Sequence, residues 1–321
     1  MRFVFNSRVG AEFPLDDLEA KFDAVFLSLG TWNESQARIN GSDLPGVFGS
    51  LHFLEGEAHG QRAALGDRVV IIGGGNSAID CARTVIRKGS TATIVYRRER
   101  KDMPAIAEEV DAAEEEGVNF IFLTSPHRIV GENNNVTAIE VTKTRLGAYD
   151  TSGRRRPIDT GEILVVPCNN VILAVGESSD SEFTRAAGLA LKPNGMLAVD
   201  RYQLTTSRPK VYAGGDYLTG ASNVVTAMSY GKEVARSIDH NLTNDHRFQA
   251  MFPIFRYDQT PAEPSPCARH HAHFLPPAKR AKSFTEAVTA LRADEAREEA
   301  CRCLRCDIKE TVAHAVSRAG E

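Results

Sequence analysis

The sequence has no apolar run approaching the roughly 20 residues a membrane-spanning helix needs, and its opening stretch, MRFVFNSRVG, lacks the long apolar core of a secretion signal. Both absences argue against a membrane partner and set the expectation of a cytoplasmic protein. A surplus of one charge is missing too: 38 Lys and Arg residues face 42 Asp and Glu residues, leaving −4 over 321 residues. No general polyanion-binding surface follows from such a balance, so nucleic acid is not an expected partner. Cysteine is scarce, at six residues, and three of these crowd into Cys301, Cys303 and Cys306. That spacing suits a metal or cluster better than a secreted disulfide framework, and it fits a reducing compartment.

The most informative stretch is residues 68–83, RVVIIGGGNSAIDCAR. Residues 69–72 are four β-branched side chains in a row, the composition of a strand covered on both faces, as in a parallel sheet. Gly73, Gly74 and Gly75 follow at once. Beyond them Ala78, Ile79, Ala82, Val85 and Ile86 recur at helical steps, Asn76 and Ser77 stand as candidate caps, and Gly89 can close the helix. The pattern is GxGxxA between strand and helix. Gly73 permits the sharp turn, Gly75 the approach of backbone to a pyrophosphate, and Ala78 close packing of helix on strand. The unpaired amides of the first helical turn suit a diphosphate, and a purely structural turn is the competing reading.

Residues 91–96, TATIVY, form the next parallel strand. An NAD site needs an acidic residue at its end, to bind the ribose 2′-hydroxyl, and that acid is absent. Arg97 and Arg98 stand there instead, and guanidinium groups suit the 2′-phosphate of NADP. A solvated charge run is the alternative, and Glu99 can still serve NAD. A helix is expected from Pro104 to Gly117, with Ile106, Val110 and Ala113 inward and Glu108, Glu109 and residues 114–116 outward. A strand follows at 119–123, then an antiparallel ribbon over 128–168, turning at 133–135 and at the polar run 152–156, and a final strand at 171–175 that stops at Gly176.

Residues 25–30, VFLSLG, echo residues 171–176, VILAVG, as if both were exit strands of nucleotide-binding units. Residues 3–9 alternate enough to be a strand, and residues 15–21 make a helical turn or two. No GxGxxG precedes Gly30, so the opening strand, phosphate loop and first helix of that unit are expected to be missing. A hairpin is expected at Asn194 and Gly195, and the stretch 211–223, VYAGGDYLTGASN, is a second candidate site. There Gly214 and Gly215 clear space, Asp216 offers a carboxylate to a ligand hydroxyl, and a helix starting near Ser222 offers its amides.

In this order, DAVFLSLGTW, VVIIGGGNSAIDCART, VYRRERKDMP, VILAVGE and VYAGGD followed by ASNVVTAMSYGKEVA resemble the glutamate synthase small-subunit-like NADPH/FAD oxidoreductases. The resemblance implies an α/β fold of two dinucleotide-binding domains, with a Rossmann-like NADPH domain inserted in a truncated FAD domain. The expected divisions are 1–65, the remnant of the first FAD half plus a crossover; 66–176, the NADPH domain; 177–245, the second FAD half; and 246–321, a proline-rich tail with a helix and CxCxxC. It further implies that Gly73, Gly74, Gly75, Asn76, Ser77, Ala78 and Gly176 border NADP, with Arg97 and Arg98 on its 2′-phosphate. Gly215 and Asp216 would meet the ribityl chain of FAD, and amides near Asn223 and Val224 the flavin ring. Cluster cysteines and an FAD phosphate loop, which open the family pattern, are lacking here, so flavin retention by this chain is in question.

In the tail, a helix is expected over 284–300. Cys301, Cys303 and Cys306 can ligate an iron–sulfur cluster, with Cys267 or a partner's residue as fourth ligand; zinc and plain thiols are the alternatives. Cys81 and Cys168 read as packing residues, and ligation by His270, His271 and His273 is not expected. The resulting expectation is an enzyme subunit that passes electrons from NADPH through flavin to an iron–sulfur or large catalytic subunit. Its rival is a non-catalytic module that binds NADPH and completes a flavin site only with another chain. A one-domain dehydrogenase is disfavoured by the second site. Hydride transfer to flavin needs no side-chain acid or base, so no catalytic residue is assigned.

Overall fold

The structure, a computed structural model, describes residues 2–10, 12–35, 39–149, 153–193, 195–243 and 268–302. The chain falls into two compact units, 1–248 and 249–321.

The first unit opens with α1 (Leu15–Lys21), β1 (Val25–Leu27) and β2 (Asn33–Glu34). Residues 3–9 are not the expected strand. Only Val9 forms a bridge, to Phe13, and Phe3 and Phe5 are exposed; without a neighbouring ladder an alternating pattern has nothing to pair with. Next come β3 (Val47–Gly49), α2 (Ser50–Ala58), β4 (Arg68–Ile72), α3 (Asn76–Arg87), β5 (Thr91–Tyr96), α4 (Ala107–Glu115) and β6 (Asn119–Phe122). A ribbon of β7 (Thr124–Glu132), β8 (Asn135–Tyr149) and β9 (Arg155–Pro167) follows, then β10 (Asn170–Leu173) and β11 (Glu177–Ser178). The unit closes with α5 (Ser181–Ala186), β12 (Val211–Ala213), α6 (Asp216–Thr219) and α7 (Val224–Thr243).

Five parallel strands in the order β3-β10-β4-β5-β6 make the central sheet. The β-branched run of β4 is divided between two cores. Val69 and Ile71 pack with Ile79, Ala82 and Val85 of α3, while Val70 and Ile72 pack with Ile139 and Val141 of the ribbon. That division is why four apolar residues stand in a row: helices cover one face and antiparallel strands the other. A third core gathers Leu15, Leu27, Leu197, Val211 and Val234 around the parallel pair β1 and β12. The two crossovers between these regions meet as β2 and β11, paired antiparallel through Glu34 and Glu177.

Helix α3 ends as expected, with Lys88 as C-cap and Gly89 at φ +90°. Helix α4 starts later than Pro104 suggests. A 3-10 turn at residues 100–102 comes first, and Ile106, expected inward, is the exposed N-cap. Glu116, expected on the wet face, is buried, because Arg83 and Arg87 of α3 reach it across the helix pair at 2.6 and 3.0 Å. Cys81 and Cys168 are fully buried packing residues, as expected.

In the second unit, β13 (His273–Phe274), α8 (Pro277–Arg280), β14 (Val288–Thr289) and α9 (Ala293–Cys301) are formed. The helix expected from residue 284 begins only at Ala293, because Val288 and Thr289 pair with Phe274 and His273 as a strand instead. His270 and His273 turn to Glu298 and Glu295, at 2.8 and 3.0 Å. Cys267, Cys303 and Cys306 lie outside the described residues. Cys301 is exposed, and among the described residues no group of His, Cys, Asp and Glu is arranged to hold a metal ion. Among them, too, no helix is long and apolar enough to cross a membrane.

Candidate functional site

Glycine shapes the carboxyl ends of β4, β5 and β10, where a cleft of about 650 Å³ opens. Gly73 sits at φ +147°, and a Cβ there would collide with the carbonyl oxygen of Ala174, beyond β10. At Gly74 a Cβ would stand 2.5 Å from the Tyr96 ring. At Gly75 it would meet nothing within 4 Å. The first two glycines are therefore demanded by packing, and the third faces open space over the turn, where a ligand backbone fits.

Gly75 is also the N-cap of α3, a role that Asn76 and Ser77 do not take. The Asn76 Oδ1 instead accepts from the Ile106 amide at 3.0 Å, and the Ala105 amide donates to the Gly74 carbonyl at 3.2 Å. These contacts draw residues 103–106 onto the glycine turn, which is why α4 is delayed. The Ser77 hydroxyl donates to Glu177 Oε1 at 2.9 Å, spanning the cleft mouth from α3 to β11. Ala78 is wholly buried against the sheet, as close helix–strand packing requires. The first turn of α3 holds no acidic residue of its own, and its amides and positive dipole end open on the cleft with the Glu177 carboxylate to one side, at Ser77. Such an end fits a pyrophosphate.

Arg97 and Arg98 border the cleft where β5 ends. Arg97 is exposed and Arg98 nearly buried, its Nε donating to the Arg155 carbonyl at 2.8 Å. Glu99 turns to Lys101 at 2.6 Å, and the hydrogen bond to that ammonium holds its carboxyl below the usual carboxylate range. An ionised pair of this kind leaves the guanidinium groups, not a carboxylate, at the strand end. Gly176, at φ +112°, closes the opposite side beside Glu177.

The second candidate site follows β12. The Gly214 amide donates to Leu27 at the end of β1, and Gly215 takes φ +67° before Asp216. Asp216 Oδ1 accepts from the Ser222 hydroxyl, and Asn223 Oδ1 caps α7 through the Thr226 amide at 2.8 Å. Val224, Val225 and Met228, on the first turns of α7, are 74%, 77% and 58% exposed. Ser222 also borders the glycine-turn cleft. The two candidate sites are thus adjacent, joined through one serine. The glycines, carboxylate and helix end fit the ring and ribityl end of a flavin, but among the described residues no second glycine turn of the Gly73 kind accompanies β1 to take its diphosphate.

Two cleft residues carry little signal in the sequence. Glu177 is marked only by following the strand-ending Gly176, and Arg154 only by lying in a polar run that reads as a turn.

A family model described as pyridine nucleotide-disulphide oxidoreductase matches residues 5–231. The chain is 34% identical over 316 residues to the beta subunit of the NADP(+)-dependent formate dehydrogenase of Moorella thermoacetica, covering 94% of this chain and 45% of that protein. It is 36% identical over 256 residues to the glutamate synthase [NADPH] small chain of Escherichia coli, covering 74% of this chain and 54% of that one, so the expected likeness to glutamate synthase small chains holds. The chain spans about half the length of these curated relatives. Mycobacterium tuberculosis FprA, solved in complex with NADPH, shares the fold with a TM-score of 0.63 at 22% identity, over 74% of this chain and 68% of that one.

Proposed function

Because the chain belongs to the pyridine nucleotide-disulphide oxidoreductase family, we propose that it binds NADPH at the glycine turn and delivers its electrons, through FAD at the second site, to an iron–sulfur or large catalytic subunit. The observation that carries this reading is Ser222, which borders the first cleft and bonds Asp216 of the second. A donor seated over Gly75 and an acceptor seated over Gly215 would meet there.

In this reading the amides of Gly75, Asn76 and Ser77 hold the pyrophosphate, Ala78 lets α3 pack close beneath it, Gly176 leaves room along its flank, and Arg97 and Arg98 attract the 2′-phosphate. Glu177, fixed by Ser77, orients the dinucleotide where the crossovers meet. Asp216, Asn223 and Val224 border the flavin. When bound, flavin supplies the ability to take two electrons as hydride and release them singly. The protein's part is to position the two rings and keep water from between them. Cys301, Cys303 and Cys306 are proposed as ligands of a cluster or of zinc, which iron, zinc and sulfide analysis of the purified chain decides.

The exposed apolar start of α7 favours a second reading, in which further polypeptide covers Val224, Val225 and Met228 and completes the flavin site. An anaerobic absorbance spectrum with added FAD, before and after NADPH, separates the two. Bound flavin that bleaches supports a self-sufficient oxidoreductase; free, unreduced flavin with NADPH bound supports the module.

A further inference from the structure

Arg155 is the first residue of β9, and its side chain turns inward, donating from Nε to the Gly147 carbonyl at 3.1 Å and from Nη2 to that of Leu146 at 2.7 Å. These bonds close the β8–β9 end of the ribbon. Its neighbours, Arg154 just before the strand and Arg156 within it, are exposed instead. Arg156 borders a depression of about 480 Å³ that it shares with Arg97, Arg98, Ser125 and Asp159. Arg154 borders the glycine-turn cleft, which also includes Arg97, Arg98 and Ser125. Cleft and depression therefore adjoin at the end of β5, the strand next to the glycine turn, where the adenosine ribose of a dinucleotide belongs.

The charge at this junction is lopsided. Arg97, Arg98 and Arg156 face one carboxylate, Asp159, in the depression, and Arg154 adds a fourth guanidinium from the cleft side. Arg98 is nearly buried and bonded to the Arg155 carbonyl, so it holds the ribbon segment against β5. Arg154 and Arg156 are exposed and flank that anchor.

We infer that Arg154 and Arg156 form, with Arg97, a clamp from two sides on the 2′-phosphate of the dinucleotide, with Arg98 as the positioning residue that docks the ribbon. The ligand chemistry is a phosphomonoester dianion on a ribose, and preference for NADPH over NADH is set by the ribbon as much as by β5. This rests on the reading of the cleft as a dinucleotide site.

The test measures dissociation constants of NADPH and NADH for the full chain and for R154Q, R156Q and the double variant, with 2′,5′-ADP and 5′-ADP as competing probes. Each single variant is expected to weaken NADPH and 2′,5′-ADP roughly tenfold, the loss of a charge-assisted contact, and to leave NADH and 5′-ADP within about twofold. Thermal midpoints stay unchanged, because both side chains are exposed. An unchanged NADPH-to-NADH preference in the double variant would overturn the clamp while leaving the dinucleotide site intact. Wild-type chain that binds neither NADPH nor NADH would overturn the underlying reading instead.

Discussion

Arg98 donates from Nε to the carbonyl oxygen of Arg155 at 2.8 Å, tying the bend just past β5 to the first residue of β9. The Thr144 hydroxyl reinforces the junction by donating to the Arg97 carbonyl at 2.9 Å. A ribbon that covers one face of the sheet is thereby fixed at the mouth of the cleft. Arg98→Ala removes a nearly buried, charge-assisted bond, and a stability loss of about 1.5–3 kcal/mol is expected. Urea unfolding measures it; an unchanged midpoint would mean that the contact does not hold the ribbon.

Gly73 and Gly75 should respond oppositely to a side chain. Gly73→Ala meets both a positive φ and the Ala174 carbonyl, and at least about 2 kcal/mol of destabilisation is expected. Gly75→Val enters open space from an ordinary extended backbone, at φ −88°, and should cost no more than the roughly 1 kcal/mol of a poorer N-cap. Equal losses at both positions would contradict the division of the turn into a packed side and a ligand side.

Glu116 has a fully buried side chain held by Arg83 and Arg87. Glu116→Ala leaves the nearly buried Arg83 guanidinium with the half-exposed Glu109 as its remaining ion-pair partner, and a cost of about 1–3 kcal/mol is expected. Chemical unfolding at neutral pH is the measurement, and a loss below about 0.5 kcal/mol would show that Glu109 and solvent satisfy Arg83 without Glu116.

Burial pushes the Cys168 thiol up to about 11 and the Cys81 thiol above it. Near pH 8 both stay protonated, and the thiolate is the nucleophile. Alkylation of the native protein followed by peptide mapping should leave Cys81 and Cys168 unmodified until the chain unfolds, and should modify the exposed Cys301 in metal-free protein. Early labelling at Cys168 would mean that the ribbon opens.

Much of the sheet and the cleft can be read from residues 68–98, because backbone geometry and period decide there. Four β-branched residues need two covered faces, three glycines in a row need a turn, and the spacing from Ala78 to Val85 needs a helix. What escapes such reading depends on partners distant in sequence. Pro104 announces a helix, but Gly74 and Asn76 take the amides of Ala105 and Ile106 and delay it. Glu116 looks like one more surface glutamate until Arg83 is brought beside it. Glu34 and Glu177 lie in different crossovers and meet only when these pair. Arg154 has the composition of a turn, and only the docking of the ribbon on β5 brings it to the cleft.

The central claim is that NADPH lies over Gly75 at the start of α3. Calorimetric titration of the full chain and of Gly75→Val with NADPH tests it most directly. One equivalent bound by the wild type, with affinity reduced at least roughly tenfold in a Gly75→Val protein that stays folded at the titration temperature, is the predicted result, since the new side chain occupies the pyrophosphate's place. No binding by the wild type, or equal binding by both proteins, would contradict it.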